Sequence, residues 1–257
     1  MGPKEEQPPF TRPIFAPSDT TRIAHLKVVI ESNWAQGLEG AIDSAHSSSL
    51  HSTDMPAARV NSSTATGTAW QRPSTDKSPR LQAQEMPYGF RYAAIRRPIQ
   101  NAAASDYVRV TCFVAPFNVL IPPNNVYNVH QMSVPLDDPT YRKINNASNR
   151  YAQDRQEMKL GSFTGIRGFP NQDIAMQESM GAIADRTKEK LGASDLAIVE
   201  FRRVMVQAVR DFMQGKRPPG LEMSDAERQR MASWERIIPK TTDWRDFDPQ
   251  APRAAAE

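Results

Sequence analysis

An α+β architecture is expected from this chain. Its middle third holds strand-like runs with no helix between them, its final third holds a long amphipathic helix, and a helical segment bearing two histidines precedes both. Strands that follow one another without intervening helices favour an antiparallel sheet. The bulk numbers agree. A length of 257 residues corresponds to one large domain or two small ones. A hydrophobic fraction of 39% suffices for a core, while 21 prolines and a mean hydropathy of −0.60 point to long polar loops around it.

Residues 1–22 hold Pro3, Pro8, Pro9, Pro13 and Pro17 and read as an extended arm, because proline fixes φ and removes backbone donors. A short β-like run follows at Leu26–Ile30. From about Asn33 to His51 the spacing predicts a helix, with Trp34, Leu38 and Ile42 on one face. Asp43 and His46 lie on neighbouring turns of its same side. His51 is five residues past His46, roughly 140° further round at 100° per residue, so both rings reach one point only if the helix breaks between them. Ser47, Ser48 and Ser49 are where it could break, since serine competes for backbone hydrogen bonds.

Residues 53–87 read as loops around short strands such as Thr66–Trp70. Strands are expected at Phe90–Ile95, Tyr107–Val114, Val119–Ile121 and Val129–Val134. Arg150–Leu160 reads as a polar helix and Asn171–Met180 as a short helical turn. Ser194 is a plausible N-cap for a helix over Leu196–Met213, with apolar positions at Ile198, Phe201, Met205, Val209 and Phe212 and a stop at Gly215. Residues 23–215 would form one domain and residues 216–257 a polar, partly ordered tail.

Composition excludes several classes. Lys and Arg total 32 against 29 Asp and Glu, and with a net charge of +3 and no basic block, nucleic acid is not an implied partner. One cysteine, Cys112, rules out a disulfide framework or a thiolate metal cage within these residues and fits a reducing cytoplasmic setting. No run is long enough for a membrane-spanning helix, and the first residues lack a signal-peptide apolar core.

The chemistry-bearing stretch is Asn33–His51. Two of the four histidines lie five apart, with a carboxylate three residues before the first. Two neutral imidazoles and one carboxylate on one face of Fe(II) make a 2-His-1-carboxylate site that leaves the opposite face open. A histidine pair at this spacing also arises by chance, as two surface or core residues; the preceding Asp43 favours ligation, since a ligating histidine donates its other N–H to an acceptor. His25 and His130 read as ordinary histidines and Cys112 as a small core residue. Without a G-x-S-x-G elbow, the serines do not suggest a hydrolase.

The pattern N-W-x4-E-G-x2-D-x2-H-x4-H resembles the iron motif of Rieske non-haem iron ring-hydroxylating oxygenases. Gly89–Pro98, Ala115-Pro116-Phe117 with Ile121–Asn124, Phe163–Ile166 with Pro170–Asp173, and Gly181–Thr187 are similar to the phthalate-type branch of that family. The resemblance implies a helix-grip catalytic domain, a twisted antiparallel sheet around a long C-terminal helix. It implies His46, His51 and Asp173 as ligands of a mononuclear Fe(II), with Asp185 as competitor for the third position. It further implies Asp43 as the acidic bridge to a Rieske cluster in a neighbouring subunit, and Arg72 and Arg109 as clamps for the carboxylates of an aromatic dicarboxylate substrate. Arg96 and Arg97 are weaker candidates. The implied reaction is dihydroxylation of phthalate at ring positions 4 and 5 with O2 and electrons from NAD(P)H. The implied partners are a Rieske-domain-bearing chain and a reductase, in a trimer-type homo-oligomer.

Two departures from that family stand out. A single cysteine cannot hold a [2Fe–2S] Rieske cluster, and Met1–Lys4 resemble a point just after the Rieske domain. Between Asp138 and Tyr141 the family carries several dozen more residues, including a strand and a helix, so the fold is expected to be shortened, with a new sheet edge. The expectation is therefore a fragment or split form of the catalytic domain, inactive on its own. The rivals are a monooxygenase or O-demethylase on another aromatic acid, a non-catalytic aromatic-acid-binding fragment of the same fold, and a hydrolytic zinc enzyme.

Overall fold

The computed structural model describes residues 5, 16, 19–20, 23–53, 72–122, 129–135, 145–229 and 231–248. The sheet is the frame. Strands β1 (Arg80–Met86), β2 (Gly89–Arg96), β3 (Ser105–Val114), β4 (Asn118–Ile121) and β5 (Val129–Met132) lie side by side in that order, all antiparallel. A sixth strand, β6 (Trp234–Pro239), pairs with β3 along Ser105–Val110, on the same side that β4 occupies along Cys112–Val114. This is the α+β class the sequence pattern implies. Of the expected strands, that at Leu26–Ile30 is not formed: the stretch has no ladder partner among the described residues, and Leu26 is exposed. The one at Thr66–Trp70 lies outside the described residues.

Strand register sorts side chains onto two faces, because residues directly opposite in an antiparallel pair project the same way. One face carries Leu81, Phe90, Tyr92, Ala94, Phe113 and Val119, and the helices α1 (Trp34–Ile42) and α4 (Leu196–Met213) cover it with Leu38, Ile42, Ala197, Phe201 and Val204. The ring of Phe201 meets Phe113 edge-on, with centroids 5.1 Å apart. The same face continues past Ala94 to Arg96, Tyr107, Arg109 and Glu235, so it passes from apolar to charged along its length. The other face holds Ala93, Ile95, Val108, Val110, Cys112 and Leu120. Because both faces are covered, β3 reads as a nearly continuous run of buried residues.

The stretch expected to be a polar tail supplies that second cover. Met223, Trp234, Ile238 and Trp244 are buried against the far face. Trp244 donates its indole N–H to Gln82, and the guanidinium groups of Arg91 and Arg245 lie 5.4 and 4.9 Å from its ring centroid. The many polar residues of this stretch mask a short strand anchored by Trp234, with a second buried tryptophan, Trp244, ten residues further on.

Helix boundaries also moved. The helix expected over Asn33–His51 ends at Ile42, for a reason given below. The expected polar helix at Arg150–Leu160 is a 3-10 turn over Ala147–Ala152 followed by α2 (Arg155–Lys159), capped by Asp154. The short turn expected from Asn171 is an 11-residue helix, α3 (Phe169–Ser179), with Pro170 in its first turn. Ser194 does not cap α4; Ala193–Asp195 form a 3-10 turn and Asp195 occupies the cap position. Gly215, at φ +76°, closes the helix as expected. The sheet covers one side of α4, and Val199, Val206, Val209 and Phe212 are exposed on the other. A short α5 (Asp225–Gln229) precedes β6. Among the described residues no helix is long and apolar enough to cross a membrane.

Two outcomes test this packing. Phe113→Ala, by opening a cavity against Phe201 and Phe90, is expected to cost ~3–5 kcal/mol, read as a lowered urea midpoint. Glu235→Gln leaves the buried Arg109 without its counter-charge and is expected to cost ~3–5 kcal/mol. The double variant with Arg109→Met should recover much of that loss; a simple sum of the two single losses would argue against the pairing.

Candidate metal centre

Asp43 determines the local chain path. It follows α1 with an extended backbone (φ −65°, ψ 118°), and its carboxylate accepts the N–H groups of Ala45 (2.7 Å) and His46 (3.2 Å). These side-chain bonds replace the ones that would have continued the helix. The chain then makes a 3-10 turn over His46–Ser48 and delivers His51 to the interior, 1% exposed. The helix thus ends at Asp43, before both histidines, and not at the serines between them. Asn33 caps the other end of α1 by accepting from Ala35 N–H.

Asp173 enters from α3. Its Oδ1 lies 3.0 Å from Nε2 of His51 and 3.6 Å from Nε2 of His46. One donor atom from each of the three residues falls within a 4.8 Å cluster, a compact nitrogen–nitrogen–oxygen set. Residues 46, 51 and 173, joined only by spacing and resemblance in the sequence, are therefore together in space. Asp185 is not among them: it caps the turn at Arg186–Lys188 and pairs with Lys188.

The set suits a cation. Gln172 is oriented by its own amide N–H, which donates to the carbonyl of Ile166 (2.9 Å), so its Oε1 faces Nδ1 of His51 at 2.7 Å. That oxygen only accepts, so His51 carries a proton on Nδ1 and turns Nε2 toward Asp173. Two imidazole nitrogens facing one carboxylate oxygen at 3.0 and 3.6 Å form a donor set that a shared cation would satisfy. Gln172 thereby fixes the orientation of the His51 ring. It escaped the sequence reading, in which the neighbour of a candidate ligand carried no signal of its own. Asp43 Oδ2 lies 3.5 Å from Nδ1 of His46. Burial tends to raise the Asp43 pKa, but His46 and the two backbone N–H groups outweigh it and hold the carboxyl below its usual range.

Beside this cluster lies a buried cationic region. Arg72 donates to Ser47 Oγ (2.7 Å) and Ser48 Oγ (2.9 Å), inside the turn that carries His46. Arg96 donates to the carbonyls of Ser44 and Asp76. Arg109 pairs with Glu235 at 3.1 Å, so the partner its burial demands comes from the stretch read as a tail. Arg97 is exposed and pairs with Asp76. Burial, followed by repulsion from Arg109 and Arg96, pushes Arg72 down to about 9; burial and Arg109 push Arg96 down to about 10. Elsewhere, His130 is exposed on β5 and bonded to Asn118. Cys112 is buried in the far face, its thiol pushed up to about 11 by burial, which agrees with a core role.

Known proteins resemble this sequence. The family described as "LigXa C-terminal domain like" matches residues 1–141 and 138–256. The phthalate 4,5-dioxygenase oxygenase subunit of Pseudomonas putida is 50% identical over 96% of this chain and 64% of its own length. The 3-chlorobenzoate-3,4-dioxygenase oxygenase subunit of Comamonas testosteroni is 27% identical over 83% of this chain and 59% of its own. The 5,5'-dehydrodivanillate O-demethylase oxygenase subunit of Sphingobium sp. is 24% identical over 75% and 45%. The chain thus spans less than two thirds of the length of each. The first alignment covers 282 positions against 257 residues, so at least 25 positions of that relative face a gap. The family match also divides at residues 138–141, where the missing segment is expected. The chain belongs to the LigXa C-terminal domain-like family, the catalytic domain of the Rieske non-haem iron oxygenases.

Proposed function

We propose that this chain is the catalytic domain of an aromatic-ring dioxygenase that adds both atoms of O2 across positions 4 and 5 of phthalate. The observation that carries the proposal is the convergence of two imidazoles and a carboxylate beside a buried group of arginines. The 50% identity to a phthalate 4,5-dioxygenase oxygenase subunit supports the same reading. In the balanced reaction phthalate, O2, two electrons and two protons give the cis-dihydrodiol. The electrons originate in NAD(P)H and arrive through a reductase and a Rieske centre, which residues outside this one-cysteine stretch supply.

His46, His51 and Asp173 would hold a mononuclear Fe(II). The chemistry that ion supplies when bound is activation of O2. Gln172 keeps the Nδ1 proton on His51 so that Nε2 remains a donor. Asp43 orients His46 and offers a carboxylate path toward an external electron source. Arg72 supplies fixed positive charge for the substrate carboxylates, and its contacts with Ser47 and Ser48 tie that charge to the histidine turn. Arg109 contributes to the field, its charge shared with Glu235.

A second reading has an observation of its own. The gap of at least 25 positions favours a non-catalytic aromatic-acid-binding form. Phthalate binding that survives without His46 and His51, together with no turnover when a Rieske-bearing partner, reductase and NADH are added, would select it.

Anaerobic loading tests the main reading. The wild-type chain is expected to take up one Fe(II), and His46→Ala, His51→Ala and Asp173→Ala to lose at least ~10-fold in affinity; equal iron in wild type and His46→Ala would sink the assignment. By calorimetry, Arg72→Gln is expected to weaken phthalate binding by ~1.5–3 kcal/mol, the scale of a hydrogen bond to a charged group, with a much smaller effect on benzoate.

A further inference from the structure

Asp43 is gripped from the sheet side at both neighbours. The hydroxyl of Tyr92 donates to the carbonyl of Ile42, and Nη2 of Arg96 donates to the carbonyl of Ser44 at 2.8 Å. Tyr92 and Arg96 are four residues apart on β2, so they project from the same sheet face. Each is at most 2% exposed. β2 is hydrogen-bonded on both sides, to β1 and β3, which makes it a stiff platform.

The carbonyls they hold lie where α1 ends. The last carbonyls of a helix lack intrahelical partners and form its negative pole, so a hydroxyl and a guanidinium are suitable donors there. The consequence reaches further than capping. With both flanking carbonyls held, the Asp43 backbone has a defined position, and its carboxylate in turn receives the N–H of His46 and faces its Nδ1. Ser47 also donates to the Ser44 carbonyl (3.1 Å), which links Arg96 to the turn held by Arg72. His51 is oriented differently, by Gln172 from α3. The two histidines are therefore set by separate parts of the fold.

We infer that Tyr92 and Arg96 are positioning residues for the metal centre: acting through the carbonyls of Ile42 and Ser44, they set the Asp43–His46 geometry and hence the affinity of the site for a divalent ion. This rests on the proposed use of His46, His51 and Asp173 as ligands. Neither residue needs to touch the ion or the substrate.

The test uses the full chain, Co(II) as probe, and the ¹⁵N signals of the histidine rings in metal-free protein. Tyr92→Phe and Arg96→Met are each expected to weaken Co(II) binding roughly 10-fold, the low end for residues that orient ligands, and Arg96→Lys to fall between them and wild type. The ring signals of His46 should shift, while those of His51 stay in place. Val110→Ala, a core truncation on the far face, controls for general destabilisation and should leave Co(II) affinity unchanged. Should Arg96→Met fail to fold, Tyr92→Phe removes one hydroxyl and suffices as the test. Wild-type affinity and unshifted His46 signals in Tyr92→Phe, with Co(II) binding still abolished by His46→Ala, would overturn this inference alone. Wild-type protein whose Co(II) uptake is indifferent to His46→Ala would overturn both it and the ligand assignment.

Discussion

Asp43 takes the backbone N–H groups of Ala45 and His46 on its own carboxylate, and α1 stops there. Had the helix continued, His46 and His51 would diverge by more than a third of a turn and could not face one atom. An extended residue followed by a 3-10 turn brings both rings to Asp173. The same carboxylate then faces Nδ1 of the first histidine. A competition between side-chain and main-chain acceptors is thus converted into the shape of the donor cluster. The burial of His51 and the grip of Arg72 on Ser47 and Ser48 both rest on that path.

The sheet provides electrostatic order on a larger scale. Its helix-covered face begins with Phe90 and Phe113 and ends with Arg96 and Arg109, all in one register. Buried guanidinium groups keep their charge but lose hydration, and they repel one another, so Arg72 and Arg96 sit below their ordinary range. The apolar end anchors the helices. The charged end lies under the histidine turn, where, on the proposed function, an anionic ring acid would meet fixed positive charge without waiting for flexible side chains to assemble.

Much of this was legible in the sequence where the signal was local. β2 and β3 announced themselves through aromatic and β-branched residues, α4 through its apolar stripe and Gly215, and the ligand candidates through their spacing and family likeness. What escaped depends on contacts between distant segments. Leu26–Ile30 has strand composition but pairs with no strand among the described residues. Glu235 and Gln172 are unremarkable in sequence; only tertiary pairing, 126 residues apart to Arg109 in one case and 121 to His51 in the other, makes them partners. β6 was hidden by polar surroundings, its burial coming from β3 and the Trp244 region and not from an apolar run of its own.

The pairing of β3 with β6 has a kinetic corollary. Closing a loop of more than a hundred residues is entropically slow compared with forming the β1–β2 and β2–β3 hairpins. The meander can therefore assemble early, with Arg109 still hydrated, and the charge becomes enclosed only when the late strand zips onto β3 and delivers Glu235. Loop-closure entropy thus favours enclosing the cationic end after the hairpins have formed. A nascent or partly opened molecule would keep its hairpins while its cationic end remained wet.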